Sequence, residues 1–465
     1  MTIKFACRKV SSPVAYCALS VKTGTRYEEP QYNGLAHLIE HMLFKGTAKR
    51  TSNSINRVLE NEGGELNAYT TKEEIVLYST VLREDLSKAI DLISELALTS
   101  IFPAKELEKE LDVIYDEIIS YKDSPSESIY DHFETLLFKG HPLEKPILGE
   151  KKTLRKIDSA ILKEFLNTNF KPNNMFFTVV GDIQEKELQK MVQKSISKYY
   201  KFAQETEQPA AEQQKAETDI VCALAVHEEQ INSSDYKTDY TEDDKEESLS
   251  KGNTTSNTTN DNVGKDNAAN YKNSNNSLEI GNCFAIEVAK RNHQAHCIIG
   301  CSAYSYYDGW KRTALALLTN ILGGPASGSR LNMTLREKHA LVYNIDASYT
   351  PYSDTGIFSI YFGCDKSLLE KCKELVYSQL EKIVSSPLSE RELKNAKKQF
   401  LGQLFISQDN AEAQCLAMGK SLLVYERIYP FEQTKMQINS ITAVQLQQVA
   451  REILNRNRLS ELVYK

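Results

Sequence analysis

Apolar and polar positions along the chain follow two rhythms, and the pair recurs in two blocks. In the first block, short runs rich in β-branched and aromatic residues read as strands: "PVAYCALSVKTG", "ELNAYTT", "EIVLYSTVL" and "NNMFFTVVGDI". Between them, apolar residues recur every three or four positions, which predicts helices. These are residues 33–46, "SINRVLENEGG" ending at paired glycines, "LREDLSKAIDLISELAL", and "AKELEKELDVIYDEIISYK" just after Pro103. The second block opens with the strands "CFAIEVAK" and "AHCIIGCSAYSYY", followed by the helical patterns "WKRTALALLTNILGG" and "RLNMTLREKHA". Strands near 341–350 and 356–363 come next, then a run of helices, and "RLSELVYK" closes as a strand. Each block therefore runs strand, helix, two strands, helices, final strand. The pattern predicts an α+β fold of two similar domains, each a mostly antiparallel sheet packed with helices.

The two blocks are separated by a stretch with no such rhythm. From 205 to 282 the chain is first acidic ("SSDYKTDYTEDDKEESLSK"), then rich in Asn, Ser and Thr. That composition buries too little apolar surface to offset chain entropy, so a disordered linker is expected there, between an N-terminal domain 1–204 and a C-terminal domain 283–465. A chain of 465 residues is in any case too long for one core. Hydrophobic content of 41% and a formal charge of -7 suit an ordinary globular protein and argue against a nucleic-acid binder. No run approaches the length of a membrane span. Nine cysteines without a C-x-x-C pair read as reduced, mostly buried thiols. With no apolar signal segment at the start, they imply a cytoplasmic protein.

One stretch breaks the apolar rule. In "HLIEHMLFKGT", residues 37–47, two histidines and a glutamate interrupt Leu38, Ile39, Met42, Leu43 and Phe44. Burying imidazole and carboxylate there is costly unless each has a partner. On a helix His37 and His41 lie one turn apart on the same face, with Glu40 on its flank. Two imidazoles so placed hold one zinc ion, and the neighbouring carboxylate takes a proton from water that the ion acidifies. By composition alone, H-x-x-E-H arises by accident in roughly one such protein in a hundred. A zinc hydrolase needs a third protein ligand, and the helix 104–122 can be searched for it. Its apolar stripe is Leu107, Leu111, Ile114 and Ile118; Glu110 and Glu117 border it together, Glu106 lies at the frayed start, and Asp112 and Asp116 face water. Glu73, Glu74 and Asp131 read as a solvated acidic face.

The order H-x-x-E-H is the inverse of the H-E-x-x-H metalloproteases and is the inverzincin signature. The chain resembles the pitrilysin/insulinase family, in particular its short members, the mitochondrial processing peptidase β subunit and bacterial relatives. The resemblance implies a zinc endopeptidase with one Zn2+ per chain held by His37, His41 and Glu117. It makes Glu40 the general base and Glu110 a supporting carboxylate behind the ligands. "GGELNAYTTKEE" is similar to the family strand that pairs with substrate backbone, which implies Asn67 and Ala68 as a peptide-binding edge. "LGGPASGSRLNMTLREKHALVYNI" is similar to the family's glycine loop followed by an Arg and a Tyr, here Arg336 and Tyr343, which imply catalytic donors to an oxyanion. The loop departs from the family pattern in having Pro325 directly after Gly323 and Gly324, and the polar linker is not a family feature. Long family members carry four similar domains. Two domains here imply a homodimer, or a heterodimer with a homologous subunit, acting on extended peptides. The other function class left open is a non-catalytic structural or partner subunit.

Overall fold

The computed structural model describes residues 3–207 and 277–465. Two five-stranded sheets organise it. The first contains β1 (Lys4–Lys9), β2 (Val14–Val21), β3 (Glu65–Thr70), β4 (Ile75–Leu82) and β5 (Met175–Gly181), in the order β1-β5-β2-β4-β3. The second contains β6 (Ala285–Val288), β7 (Gln294–Ala303), β8 (Val342–Pro351), β9 (Gly356–Asp365) and β10 (Ser460–Tyr464), in the order β6-β10-β7-β9-β8. The two orders are the same. In each sheet the first strand pairs in parallel with the last, and every other pairing is antiparallel. The expected pair of similar α+β domains is the architecture found.

Three parts of the pattern differ from expectation. Strand β1 was not foreseen, because Lys4, Arg8 and Lys9 dilute its apolar content; its edge position tolerates them. Strand β5 does not close the first block, since the helix Glu185–Glu207 follows it. The polar stretch expected to form the linker lies, over 208–276, outside the described residues. Its last residues instead pack against both domains, with Thr355 Oγ1 donating to Ser277 O at 2.8 Å and Asn282 N to Leu137 O of the first domain at 2.8 Å.

Each sheet buries one face against helices of its own domain and the other against a helix of the opposite domain. On β5, Met175, Phe177 and Val179 face the first core, whereas Phe176 and Val180 meet the helix Ala411–Tyr425, through Leu422, Leu423, Val424 and Cys415. On β7, Cys297, Ile299 and Cys301 face the second core, whereas Ile298 meets Ile129, Phe133 and Leu137 of the helix Pro125–Leu137. This reciprocal exchange explains why these strands read as continuous apolar runs rather than alternating ones. The eight described cysteines form no disulfide, and six of them are buried. Among the described residues no helix is long and apolar enough to cross a membrane.

Candidate metal centre

The expected motif helix is Leu35–Leu43. It starts at Gly34, which has a φ of 97° and touches Gly149 so closely that a Cβ would fall 2.9 Å from the Gly149 Cα. Its free N–H groups are satisfied by Glu28, six residues upstream. One Glu28 oxygen accepts from Ala36 N at 2.7 Å, the other from Gly34 N at 3.0 Å and Asn33 Nδ2 at 3.1 Å. Burial raises the Glu28 pKa to about 7, although these donors and Lys145 oppose the rise. Leu38, Ile39, Met42 and Leu43 disappear into the first core, which leaves His37, Glu40 and His41 on the remaining face.

That face meets the helix Ala104–Lys122, whose bounds match the sequence expectation. Glu117 Oε2 lies 3.7 Å from His37 Nε2 and 3.8 Å from His41 Nε2. The two imidazole centroids are 4.7 Å apart. Both gaps are too long for hydrogen bonds, and both are close to the roughly 3.4 Å that separates two ligands about 2.1 Å from a tetrahedral ion. One nitrogen from each ring and a Glu117 oxygen all lie within 4.8 Å of one another, and they form the single such group among the described residues. Burial, followed by the neighbouring His41, lowers the His37 pKa to about 3 and keeps that ring neutral, the form that ligates metal. The donor set and its spacing therefore fit a zinc ion.

The surrounding groups orient these three. Glu110 Oε2 sits 3.2 Å from His41 Nδ1, and its other oxygen is 2.6 Å from Lys45 Nζ, which turns the His41 Nε2 toward Glu117. Glu110 is buried, as its place beside the apolar stripe predicts. Glu117 is exposed on one side, which leaves the group open to solvent and substrate. Glu106 is not part of the site; it pairs with Lys109 at 2.7 Å. Glu40 is half-buried, and its pKa is raised by burial; hydrogen bonds from Thr70 and the nearby His41 oppose the rise, and Glu117 adds to it. Thr70 ends β3, the edge strand that carries Asn67 and Ala68. Among the described residues strand β3 pairs only with β4, which leaves its other edge beside the motif helix without a strand partner there.

Arg336 and Tyr343 are not joined to these groups by any hydrogen bond or ion pair. Arg336 belongs to a π-helical segment, Asn332–Lys338, and pairs with Glu337 at 2.9 Å. Tyr343 is 80% exposed on β8 at a register shift between Val342 and Asn344, and Ala340 between the two has a φ of 49°. Three backbone irregularities between Asn332 and Asn344 are the kind of local distortion that aims side chains at a partner. The acidic face expected at Glu73 and Glu74 is not solvated, since both are nearly fully buried and paired. Asp131 lies at the interface between domains, and burial raises its pKa to about 6. Sequence reasoning missed Glu28, Lys45 and Thr70. The run "GTRYEE" between an apolar strand and an apolar helix was the one available hint, because charged residues rarely survive there unpaired.

Comparison with known proteins shows what the chain is similar to. Residues 4–151 match the family described as Insulinase (Peptidase family M16), and residues 156–236 and 261–400 match the Peptidase M16 inactive domain. A protein of Bacillus subtilis named an uncharacterized zinc protease, YmxG, is 25% identical over 95% of this chain and 91% of its own length. A zinc protease so named in Rickettsia bellii is 26% identical over 96% and 91%. Two crystal structures share the fold. One, titled as a protease from Helicobacter pylori, has a TM-score of 0.76 at 16% identity and covers 99% of this chain and 96% of its own. The other, titled as a peptidase M16 inactive domain from Pseudomonas fluorescens, has a TM-score of 0.75 at 17% identity and covers 99% and 94%. With both domains matched in sequence and in fold, the chain belongs to the insulinase family of peptidases, M16.

Proposed function

We propose that the protein is a zinc-dependent endopeptidase that cuts extended peptides or flexible protein segments. The observation that carries this reading is the convergence of His37, His41 and Glu117 beside a half-buried Glu40. His37, His41 and Glu117 would hold one zinc ion per chain. When bound, the ion supplies Lewis acidity and lowers the pKa of water. Glu40 takes the proton of the attacking water and returns it to the leaving amine. Thr70 holds one side of its carboxylate, and burial raises its pKa above the usual carboxylate value. The open edge of β3 receives substrate as an added strand at Asn67 and Ala68, which places an extended backbone next to the motif helix. Glu110 keeps His41 in the orienting tautomer.

Tyr343 stands exposed on the second domain and Arg336 half-buried, both within reach of another molecule. In a homodimer, those of one copy would complete the site of the other by donating to the developing oxyanion. The rival assembly is a heterodimer with a homologous subunit. Zinc content and cleavage of a quenched peptide, measured for wild type and Glu40→Gln, test the reading. Zinc in both with cleavage only by wild type is the expected result. Zinc without cleavage in either sinks it, and no zinc in either favours a structural subunit. Mixing Glu40→Gln with Arg336→Ala chains tests the shared site: regained activity supports it, and none counts against it.

A further inference from the structure

The β3–β4 and β8–β9 hairpins occupy equivalent places in the two sheets, and their tips meet. Both tips are four residues long and close with the same bond, Thr71 N to Glu74 O at 2.8 Å and Tyr352 N to Thr355 O at 2.7 Å. Glu73 Oε1 accepts from Ser353 N at 3.0 Å and from Ser353 Oγ at 2.6 Å. Arg26, from the loop before the motif helix, lies between the tips. Its Nη1 is 2.9 Å from Glu73 Oε1 and 2.8 Å from Asp354 Oδ1, its Nη2 donates to Asp354 Oδ2, and His141 Nε2 is 3.1 Å from that same oxygen. Arg26, Glu73 and Asp354 are all nearly fully buried.

A buried ionic cluster is a poor way to gain stability, since apolar residues of similar volume serve as well or better. Its distinctive property is direction: a guanidinium gripping a carboxylate with two parallel bonds admits one relative placement of the groups it joins. The groups joined here lead to the metal centre by two short routes. Arg26 N donates to Lys72 O at 2.9 Å, and two residues further on Glu28 caps the motif helix at Gly34 and Ala36. On the other route Glu73 stands three residues from Thr70, which holds Glu40. On the far side, Asp354 follows β8, the strand of Tyr343.

We propose that Asp354 is a positioning residue for peptide cleavage: through Arg26 it locks the second domain's hairpin to the loop and strand that set the motif helix and Glu40. This rests on the peptidase reading above, but its mechanical part is measurable without it. Asp354 touches neither substrate nor metal ligand; it acts through Arg26.

The test uses the full-length, zinc-loaded chain with Asp354→Asn, which keeps shape and removes charge, and Arg26→Lys, which keeps charge and removes the fork. Expected for Asp354→Asn are unchanged zinc content, a kcat about 30-fold lower and a KM within about twofold, because the reacting groups are misaligned while the β3 edge still takes peptide. Arg26→Lys gives a smaller fall of the same kind. Amide exchange over residues 34–43 rises about tenfold in both variants, with β7 and β9 unchanged. A kcat per bound zinc equal to wild type, or a loss of activity only in proportion to lost zinc, overturns the proposal. So does unchanged exchange at 34–43. If Asp354→Asn does not fold, Arg26→Lys alone decides on the same readouts. A wild-type chain that binds zinc but cuts nothing defeats the peptidase reading instead, and exchange still judges the lock.

Discussion

The two domains share one topology and differ in what their corresponding helices say to each other. In the first, the helix after β2 meets the long helix Ala104–Lys122 through two imidazoles and a carboxylate that come close without bonding. In the second, the helix after β7, Gly309–Gly323, meets Glu390–Ser407 through Asn320 Nδ2 donating to Gln403 Oε1 at 2.9 Å. One contact is a hydrogen bond between neutral amides, and the other brings three possible ligand atoms together with no bond between them. The same fold therefore tolerates either, and what distinguishes the candidate metal centre from a packing contact is three side chains, not architecture. The exchanged helices differ too. Ala411–Tyr425 approaches the first sheet with Cys415 and Gly419, and Thr178 Oγ1 donates to Cys415 O at 2.9 Å. Pro125–Leu137 approaches the second sheet with large and titratable groups, among them Phe133, Asp131 and His132, whose Nδ1 lies 3.0 Å from Tyr464 OH.

The sharpest way to break the first contrast is to write the second domain's contact into the first. His41→Asn with Glu117→Gln should abolish zinc uptake and lower peptide cleavage by about a thousandfold or more, with a melting temperature close to the wild-type metal-free value. Zinc measurement and calorimetry check it; a large loss of metal-free stability would mean the pair is structural. Next in size, Phe133→Ala should destabilise the chain by about 3–5 kcal/mol, because a fully buried ring joins one domain's helix to the other's sheet. Denaturant unfolding reads this, and a value near zero would deny that the exchange is a shared core. Glu110→Gln should weaken zinc binding by about 10–100-fold while leaving three ligands in place, seen by competition with a chelator. The smallest effect concerns pH. Asp131 has its folded-state pKa raised to about 6, first by burial and then by Glu134, against the pull of Lys72. A raised carboxyl binds more protons folded than unfolded, so its contribution favours the fold at low pH and is lost as pH rises through about 6. Asp131→Asn should flatten that decline in melting temperature between about pH 4 and 6, and an unchanged slope would assign it to other groups.

Much of this was legible in one dimension. The helix Ala104–Lys122 shows its stripe of Leu107, Ile114 and Ile118 in its period, and Glu110 and Glu117 stand on the border where the period puts them. H-x-x-E-H is local, so its geometry follows from helical pitch alone. Glu73 and Glu74 misled for the opposite reason. A charged triplet at a hairpin tip is normally solvated, and only the arrival of Ser353, Glu134 and Lys420 from distant segments makes burial affordable. Strand β1 was hidden because an edge strand needs little apolar content.

By itself, then, the sequence determined the two-block α+β plan, the motif helix and the pair of candidate carboxylates, since each depends on side-chain periods of a few residues. Tertiary structure alone decided which carboxylate reaches both imidazoles, that Glu28 caps the motif helix, that each domain lends a helix to the other, and that Arg26 joins Asp354. Those contacts link residues far apart along the chain, and no local period encodes which distant partner will come to satisfy a buried charge.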